Sequence, residues 1–212
     1  MDKNQTKELL LSLKLILVGI AFWIIRPRYF LFFLIKQETI FNTVVFVIIG
    51  TIIIIVALTM IHRVYPFAHT ILALILSYFL LIVNILYVFL YRNEYYRAFS
   101  LYIPFIISIV LILISKILES GLRYFRNREL SRKWRYFVFI IFFGVSIPLY
   151  LFISLKIFGI ISFNKIEIDT KAVLIFLPIA ITILILVLYY IIILIKSFNF
   201  LSKIKNNTKS KG

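Results

Sequence analysis

Few residues of this chain combine a polar side chain with a position where it could do chemistry. Asn84 lies near the middle of a long apolar stretch, where an amide can line a pore or make a hydrogen bond that packs two helices. Packing is the simpler role, and we keep Asn84 as the candidate intramembrane polar contact. His62 and His69 flank a short segment with a proline, but two histidines without a third ligand predict no metal site.

The sequence Gly144-x-Ser146 is similar to the nucleophile motif of intramembrane serine proteases. The glycine that should follow the serine is missing, and no histidine lies in a later apolar stretch to act as the base. The chain contains no cysteine, no H-E-x-x-H and no G-x-x-x-x-G-K. We therefore predict no catalytic, metal or cofactor site, and no enzymatic activity.

Basic side chains carry most of the charge. Lys and Arg number 24 against 8 Asp and Glu, which gives a formal net charge of +16. A dense basic run lies in the longest predicted connector, about 119–135. Its cations suit the phosphates of anionic lipid headgroups, although a solvated cytoplasmic loop is the simpler interpretation. The candidate lipid-contacting residues are Arg123, Arg126, Arg128, Arg132, Lys133 and Arg135.

The composition indicates the environment that the chain needs. Hydrophobic residues make up 63% of it and charged residues 15%, whereas soluble domains have roughly 45–50% and about 25%. We predict one all-α membrane domain over 1–212, because about 20 apolar residues suffice for one helical crossing. The predicted spans are 9–25, 40–62, 68–91, 98–118, 136–161 and 172–195, followed by a basic tail at 196–212.

Orientation follows from the distribution of Lys and Arg. With six spans and both termini in the cytoplasm, 16 of the 24 basic residues lie on the inner side, as the positive-inside rule requires. This arrangement predicts a plasma-membrane protein whose partners are the bilayer, anionic headgroups and other membrane proteins, and not nucleic acid. The first span is the weakest because it is short and contains Lys14. Pro104, Pro148 and Pro178 are expected to kink the spans that contain them.

Three segments resemble the Yip1-domain family of small polytopic membrane proteins. They are the entry segment 26–30 (RPRYF), the helix start 98–104 (AFSLYIP) and the entry to the last span, 168–178 (IDTKAVLIFLP). The resemblance covers the chain from about residue 26 to its end and implies a core of five spans. It implies a role in membrane organisation or partner binding, and it supplies no site residues. The family's usual orientation would place the basic run at 123–135 outside, in conflict with the charge distribution.

Two functions from different classes follow. The first is a non-enzymatic, Yip1-like protein that organises lipid or partner proteins through its helices and basic inner segments. The alternative is the permease subunit of a small transporter that works with a separate ATPase. The alternative predicts a water-accessible path past Asn84 and the proline kinks, whereas the first function predicts no such path.

Overall fold

The fold is described by a computed structural model that covers residues 3–24, 40–90, 102–148, 150–151, 154, 185–186 and 188–203. Within these residues every position is helical except Tyr102 and the turns at 65–67 and 125–127, so this part of the chain is all-α, as predicted. The helices are α1 (Lys3–Ile24), α2 (Ile40–Val64), α3 (Ala68–Leu90), α4 (Ile103–Tyr124), α5 (Arg128–Ile141) and α6 (188–203).

The composition of α2 shows why an apolar environment favours helices here. The helix is rich in Ile and Val, which fit strands better than helices in water. In a bilayer every backbone N–H and C=O needs a partner within the segment, and a helix provides one for each. The 25 residues of α2 extend over about 37 Å, which exceeds the roughly 30 Å of hydrocarbon in a membrane.

Three of the described helices are long and apolar enough to cross a membrane, namely Val44–Val64 within α2, α3 and α4. They overlap the predicted spans at 40–62, 68–91 and 98–118. Helix α1 is not among them, and it carries Lys7, Glu8 and Lys14. These findings are compatible with a membrane protein. Most of the predicted span at 172–195 lies outside the described residues.

Two expectations are corrected by the structure. The connector predicted at about 119–135 is helical except for residues 125–127, because its apolar positions recur at helical spacing and bury one face of each flanking helix. Pro104 lies in the first turn of α4 and begins the helix instead of kinking it. A proline is well tolerated there because the first N–H groups of a helix have no partner within it. Pro178 lies outside the described residues.

Helices α1 and α2 pack together at two glycines. A Cβ atom at Gly50 would lie 2.8 Å from the carbonyl oxygen of Gly19, and one at Gly19 would lie 2.9 Å from that of Gly50. Small residues at such crossings let two backbones approach closely. Next to this crossing the Trp23 indole N–H donates to Thr51 Oγ1 at 3.1 Å, and Thr51 donates in turn to the carbonyl of Val47 at 2.6 Å.

Helix α6 packs on α5 around a buried tryptophan. The indole N–H of Trp134 donates to Ser197 Oγ at 3.0 Å, and Ser197 donates to the carbonyl of Ile193 at 2.9 Å. The rings of Phe137 and Tyr190 lie 6.0 and 5.2 Å from the ring of Trp134, both near-perpendicular to it. Edge-to-face aromatic contacts of this kind add to the stability that burial provides.

A π-helical turn at Phe142–Ser146 follows α5, just before Pro148. The N–H of Ile147 donates to the carbonyl of Phe142, five residues earlier. A proline cannot donate to the carbonyl four residues before it, and its ring crowds that carbonyl, so the wider turn accommodates Pro148. This deformation agrees with the expected effect of Pro148 on its helix.

The α1–α2 crossing gives a test of the packing. Replacing Gly50 by Ala places a methyl group against the backbone of α1, so we expect the free energy of unfolding to fall by about 1–3 kcal/mol. Gly121→Ala is the matched control, because a Cβ at Gly121 meets no atom within 4 Å, and it should be neutral or stabilising by up to about 1 kcal/mol. Thermal unfolding of the detergent-purified protein compares the two, and equal effects would contradict the close crossing.

Candidate functional site

The basic residues of the described chain gather where six helix termini meet. A small apolar cavity at this end is lined from α1 (Leu9), from the end of α2 (Ile61), from the end of α4 (Leu122) and from α6 (Leu201). The start of α3 belongs to the same end because only residues 65–67 join it to α2, and α5 begins there after α4. We call this region the basic end.

Cations from five helices lie at or towards the basic end. Among the residues whose side chains the structure describes, they are Lys7, Lys14, Arg63, Lys116, Arg123, Arg126, Arg128, Arg132, Lys133, Arg135, Lys196 and Lys203. The eight basic residues that the sequence analysis places on the opposite side all lie outside the described residues. The described part of the chain therefore presents one strongly positive end.

A tight turn connects α4 to α5 at this end. The N–H of Asn127 donates to the carbonyl of Leu122, and that of Arg126 donates to the carbonyl of Arg123, both at 3.0 Å, which is the bond pattern of a Schellman motif. Asn127 also caps α5, since its side chain accepts from the N–H of Leu130 at 3.1 Å. Arg126 has a φ of 60°, in the left-handed region that glycine usually occupies.

A buried carboxylate ties the two helices of this hairpin together. The Glu119 side chain is 4% exposed, and it accepts from Lys116 at 2.9 Å and from Arg123 at 2.8 Å, both within α4. It also accepts from Nε of Arg135 on α5 at 2.8 Å. A carboxylate at this depth needs such partners, because an unpaired buried charge is strongly destabilising.

The sequence analysis missed this carboxylate. Its predicted span ends at 118, so Glu119 fell into the supposed connector, whereas α4 continues to Tyr124. The spacing of Lys116 and Arg123, three residues before and four after Glu119, could have revealed two of the partners. No sequence signal identifies Arg135, because its approach depends on how α5 folds back along α4.

The six candidate cations divide into two groups. Arg123 and Arg135 bond to Glu119, and Lys133 bonds to Glu129 one turn before it. We call these three the paired cations. Arg126, Arg128 and Arg132 are exposed and form no ion pair within the described residues; we call them the free arginines.

The Glu129–Lys133 pair stabilises the charged form of both groups. The hydrogen bond and charge of the Lys133 ammonium hold the pKa of the Glu129 carboxyl below its ordinary value. The Glu129 carboxylate in turn raises the pKa of Lys133. Both groups therefore remain charged at neutral pH, and their charges largely cancel.

Helix α5 has one buried and one basic side. Its buried residues include Ser131, Trp134 and Phe137, at the three-residue intervals of a helix face. Arg128 and Arg132 lie one turn apart on the exposed side, which places their side chains next to each other. The exposed tyrosines at the basic end, Tyr124 and Tyr136, bracket this segment of the hairpin.

A group of aromatic rings packs around Tyr65, next to the apolar cavity of the basic end. Tyr65 stacks on Phe67 at 5.6 Å and makes edge contacts with Tyr124 at 5.6 Å and Phe125 at 6.3 Å. Burial raises the pKa of the Tyr65 phenol to about 12, and Tyr124 adds to the rise. Tyr65 is thus neutral at physiological pH and forms part of the wall of the apolar cavity.

The other residues considered for chemistry do not converge on one site. Asn84 is 2% exposed, and its amide donates to the carbonyl of Leu80 in its own helix at 2.7 Å. Ser146 is buried and shares a hydrogen bond of 2.9 Å with Ser108 of α4. Within the described residues no three His, Asp or Glu side chains are placed to hold a metal ion.

The comparisons with known proteins give no further assignment. No family model, no curated protein and no solved structure matches this chain. The resemblance to the Yip1-domain family is therefore untested, and the site must be judged from its own geometry.

The Glu119 cluster can be tested by removing its negative charge. Glu119→Gln keeps the shape of the side chain and leaves three cations around a neutral group. We expect the free energy of unfolding to fall by about 1–3 kcal/mol, less than for a fully buried pair because the cations are partly exposed. Glu129→Gln, which removes a carboxylate of 78% side-chain exposure, should cause no measurable change. Chemical denaturation of the purified protein compares the variants, and an equal loss in both would contradict a special role for Glu119.

Proposed function

We propose that this chain is a multi-pass protein of the plasma membrane that organises lipid or partner proteins without catalysing a reaction. Six helices cross the bilayer in this proposal, and both termini and the basic end lie in the cytoplasm. The observation that carries it is that apolar helices, three of which are long enough to span a membrane, end in a dense group of cations. Cytoplasmic ends of membrane proteins are rich in Lys and Arg.

Several features support an organising role over transport. Asn84 is buried and bonded within α3, so it does not line an open path there. Ser108 and Ser146 are bonded to each other, which is typical of helix packing. The cavity at the basic end is apolar and small, and its size does not suit a transported solute. The Yip1-like segments point to the same class of protein.

Cysteine accessibility tests the topology, because the natural chain has no cysteine and gives no background. Ala68 is exposed at the basic end, and Gln37 and Thr170 are predicted to face outside. In intact cells, a membrane-impermeant maleimide should label Gln37→Cys and Thr170→Cys, and it should label Ala68→Cys only after lysis. Labelling of Ala68→Cys from outside would reverse the orientation. Protection of both Gln37→Cys and Ala68→Cys in intact cells would place the two ends of α2 on the same side, so α2 would not cross the membrane as proposed.

Co-purification distinguishes the organising role from the permease alternative. We expect protein extracted with its surrounding lipid in polymer-bounded discs to carry several times more anionic lipid than the bulk membrane, because the basic end attracts negative headgroups. Mass spectrometry measures the proportion of anionic lipid in the discs and identifies the proteins that co-purify. If the discs contain the same proportion of anionic lipid as the bulk membrane, and if an ATPase co-purifies in a fixed ratio to this protein, the permease is favoured and the organising role is contradicted.

A further inference from the structure

The hairpin between α4 and α5 contains a more specific site than its overall charge suggests. We propose that the free arginines (Arg126, Arg128 and Arg132) bind the phosphate groups of anionic lipid headgroups. The paired cations hold the hairpin in shape and contribute little to binding. This inference rests on the proposed function, and it names the ligand and the residues that recognise it.

The two groups of cations differ in whether a carboxylate already occupies their hydrogen-bond donors. The paired cations have carboxylate partners, so a headgroup that approached Arg123 or Arg135 would compete with Glu119 for the same donors. The free arginines have no ion pair within the described residues and are exposed. Each presents a planar guanidinium, which bonds phosphate oxygens in pairs. Seven cations and two carboxylates leave a net charge of +5 on the hairpin. The free arginines account for three of these charges, at the tip and along one side of α5, and they are the ones with no carboxylate partner among the described residues.

The backbone at Arg126 has a conformation that is unusual for a residue with a side chain. Its φ of 60° is the conformation that glycine adopts at no steric cost and that other residues adopt with strain. The turn itself gains nothing from an arginine there, since its bonds use only backbone atoms of residue 126. Strain of this kind is found at functional sites, where the side chain is needed for another purpose. At Arg126 that purpose would be to present an exposed guanidinium group at the tip of the hairpin.

The position of the hairpin at the end of an apolar helix indicates the source of the phosphate. Helix α4 is one of the three helices able to span a membrane, and it ends at Tyr124, immediately before the turn. The exposed rings of Tyr124 and Tyr136 lie on both sides of the turn in sequence, and tyrosines favour the depth of the headgroups. The free arginines therefore lie at the membrane surface, where lipid phosphates are far more concentrated than soluble ones.

The chain offers a matched pair of variants that remove one charge each. Arg126→Gly removes a free arginine and also relieves the positive φ, so the variant should fold at least as well as the wild type, with an unfolding midpoint that is unchanged or slightly raised. Arg123→Gln removes a paired cation only three residues away, and Glu119 keeps Lys116 and Arg135 as partners. Both changes lower the net charge by one.

Binding is measured by native mass spectrometry of the detergent-purified protein titrated with dioleoyl phosphatidylglycerol, with dioleoyl phosphatidylcholine as the zwitterionic control. We expect Arg126→Gly to weaken phosphatidylglycerol binding about fivefold, the usual effect of one basic residue at a membrane surface. Arg123→Gln should weaken it less than about twofold. Arg128→Gln and Arg132→Gln should resemble Arg126→Gly.

Other outcomes would overturn the inference. Equal weakening by Arg126→Gly and Arg123→Gln would mean that only net charge matters. Displacement of the lipid by soluble glycerol phosphate at equal concentration would indicate a site for free phosphates, and tighter binding of a single-stranded oligonucleotide would indicate a nucleic-acid site. No preference of the wild type for the anionic lipid would overturn the site as well. Failure of the proposed function is distinguishable, because the cysteine labelling that tests it does not depend on lipid affinity.

Discussion

The architecture of the basic end depends on one carboxylate. The last turns of α4 and the first turns of α5 carry seven Lys and Arg residues between positions 116 and 135, and the tight turn brings the two helices side by side. Two like charges about 8 Å apart near a protein surface repel by roughly 2 kcal/mol at an effective dielectric constant of 20. Glu119 offsets this repulsion by accepting hydrogen bonds from both helices. Without it the hairpin would bring these cations together with Glu129 as the one remaining carboxylate between positions 116 and 135.

This arrangement also separates two uses of positive charge. The cations bonded to Glu119 and Glu129 share two carboxylates among four positive charges, so part of their charge is offset and their hydrogen bonds help to hold the shape of the hairpin. The free arginines retain their charge and donors for an external anion. A connector of the same composition but without helical structure would have no such division, because all its cations would be equally solvated. The functional consequence of the basic run therefore follows from its folding into helices.

The sequence predicts some levels of this fold better than others. Long apolar stretches identify α2 and α3 almost to the residue, since length and hydropathy alone decide whether a segment can be a membrane helix. The hairpin is harder to predict because its many charged residues are typical of a connector, although buried positions such as Leu122 and Trp134 recur at helical spacing. The six candidate cations were found by composition. Their division into paired and free groups required the position of Glu119 relative to α5.

Contacts between distant segments could not be predicted at all. The meeting of Gly19 with Gly50, and of Trp134 with Ser197, depends on which faces of the helices turn towards each other. In a helix as uniformly apolar as α2, the pattern of hydrophobic residues does not mark the inner face, because lipid and protein interior are equally nonpolar. The pattern in α5 does mark a buried face, but it does not identify the helix that packs on that face. Small and weakly polar residues carry that information instead, and their partners become visible only in three dimensions.

The packing of α1 bears on whether this helix, the weakest predicted span, crosses the membrane. Gly19 meets Gly50 near the middle of α2, and Leu9 reaches the cavity that Ile61 lines. Helix α1 therefore lies alongside most of the length of α2 and shares its depth in any bilayer that α2 crosses.

Lys14 would then lie below the membrane surface, about 14 Å from the end of α2, by the rise of 1.5 Å per residue. Its ammonium lies 5.5 Å from the centre of the Phe198 ring, and helical side chains lean towards the N-terminus, which for α1 is the basic end. Both features lower the cost of placing a lysine at this depth.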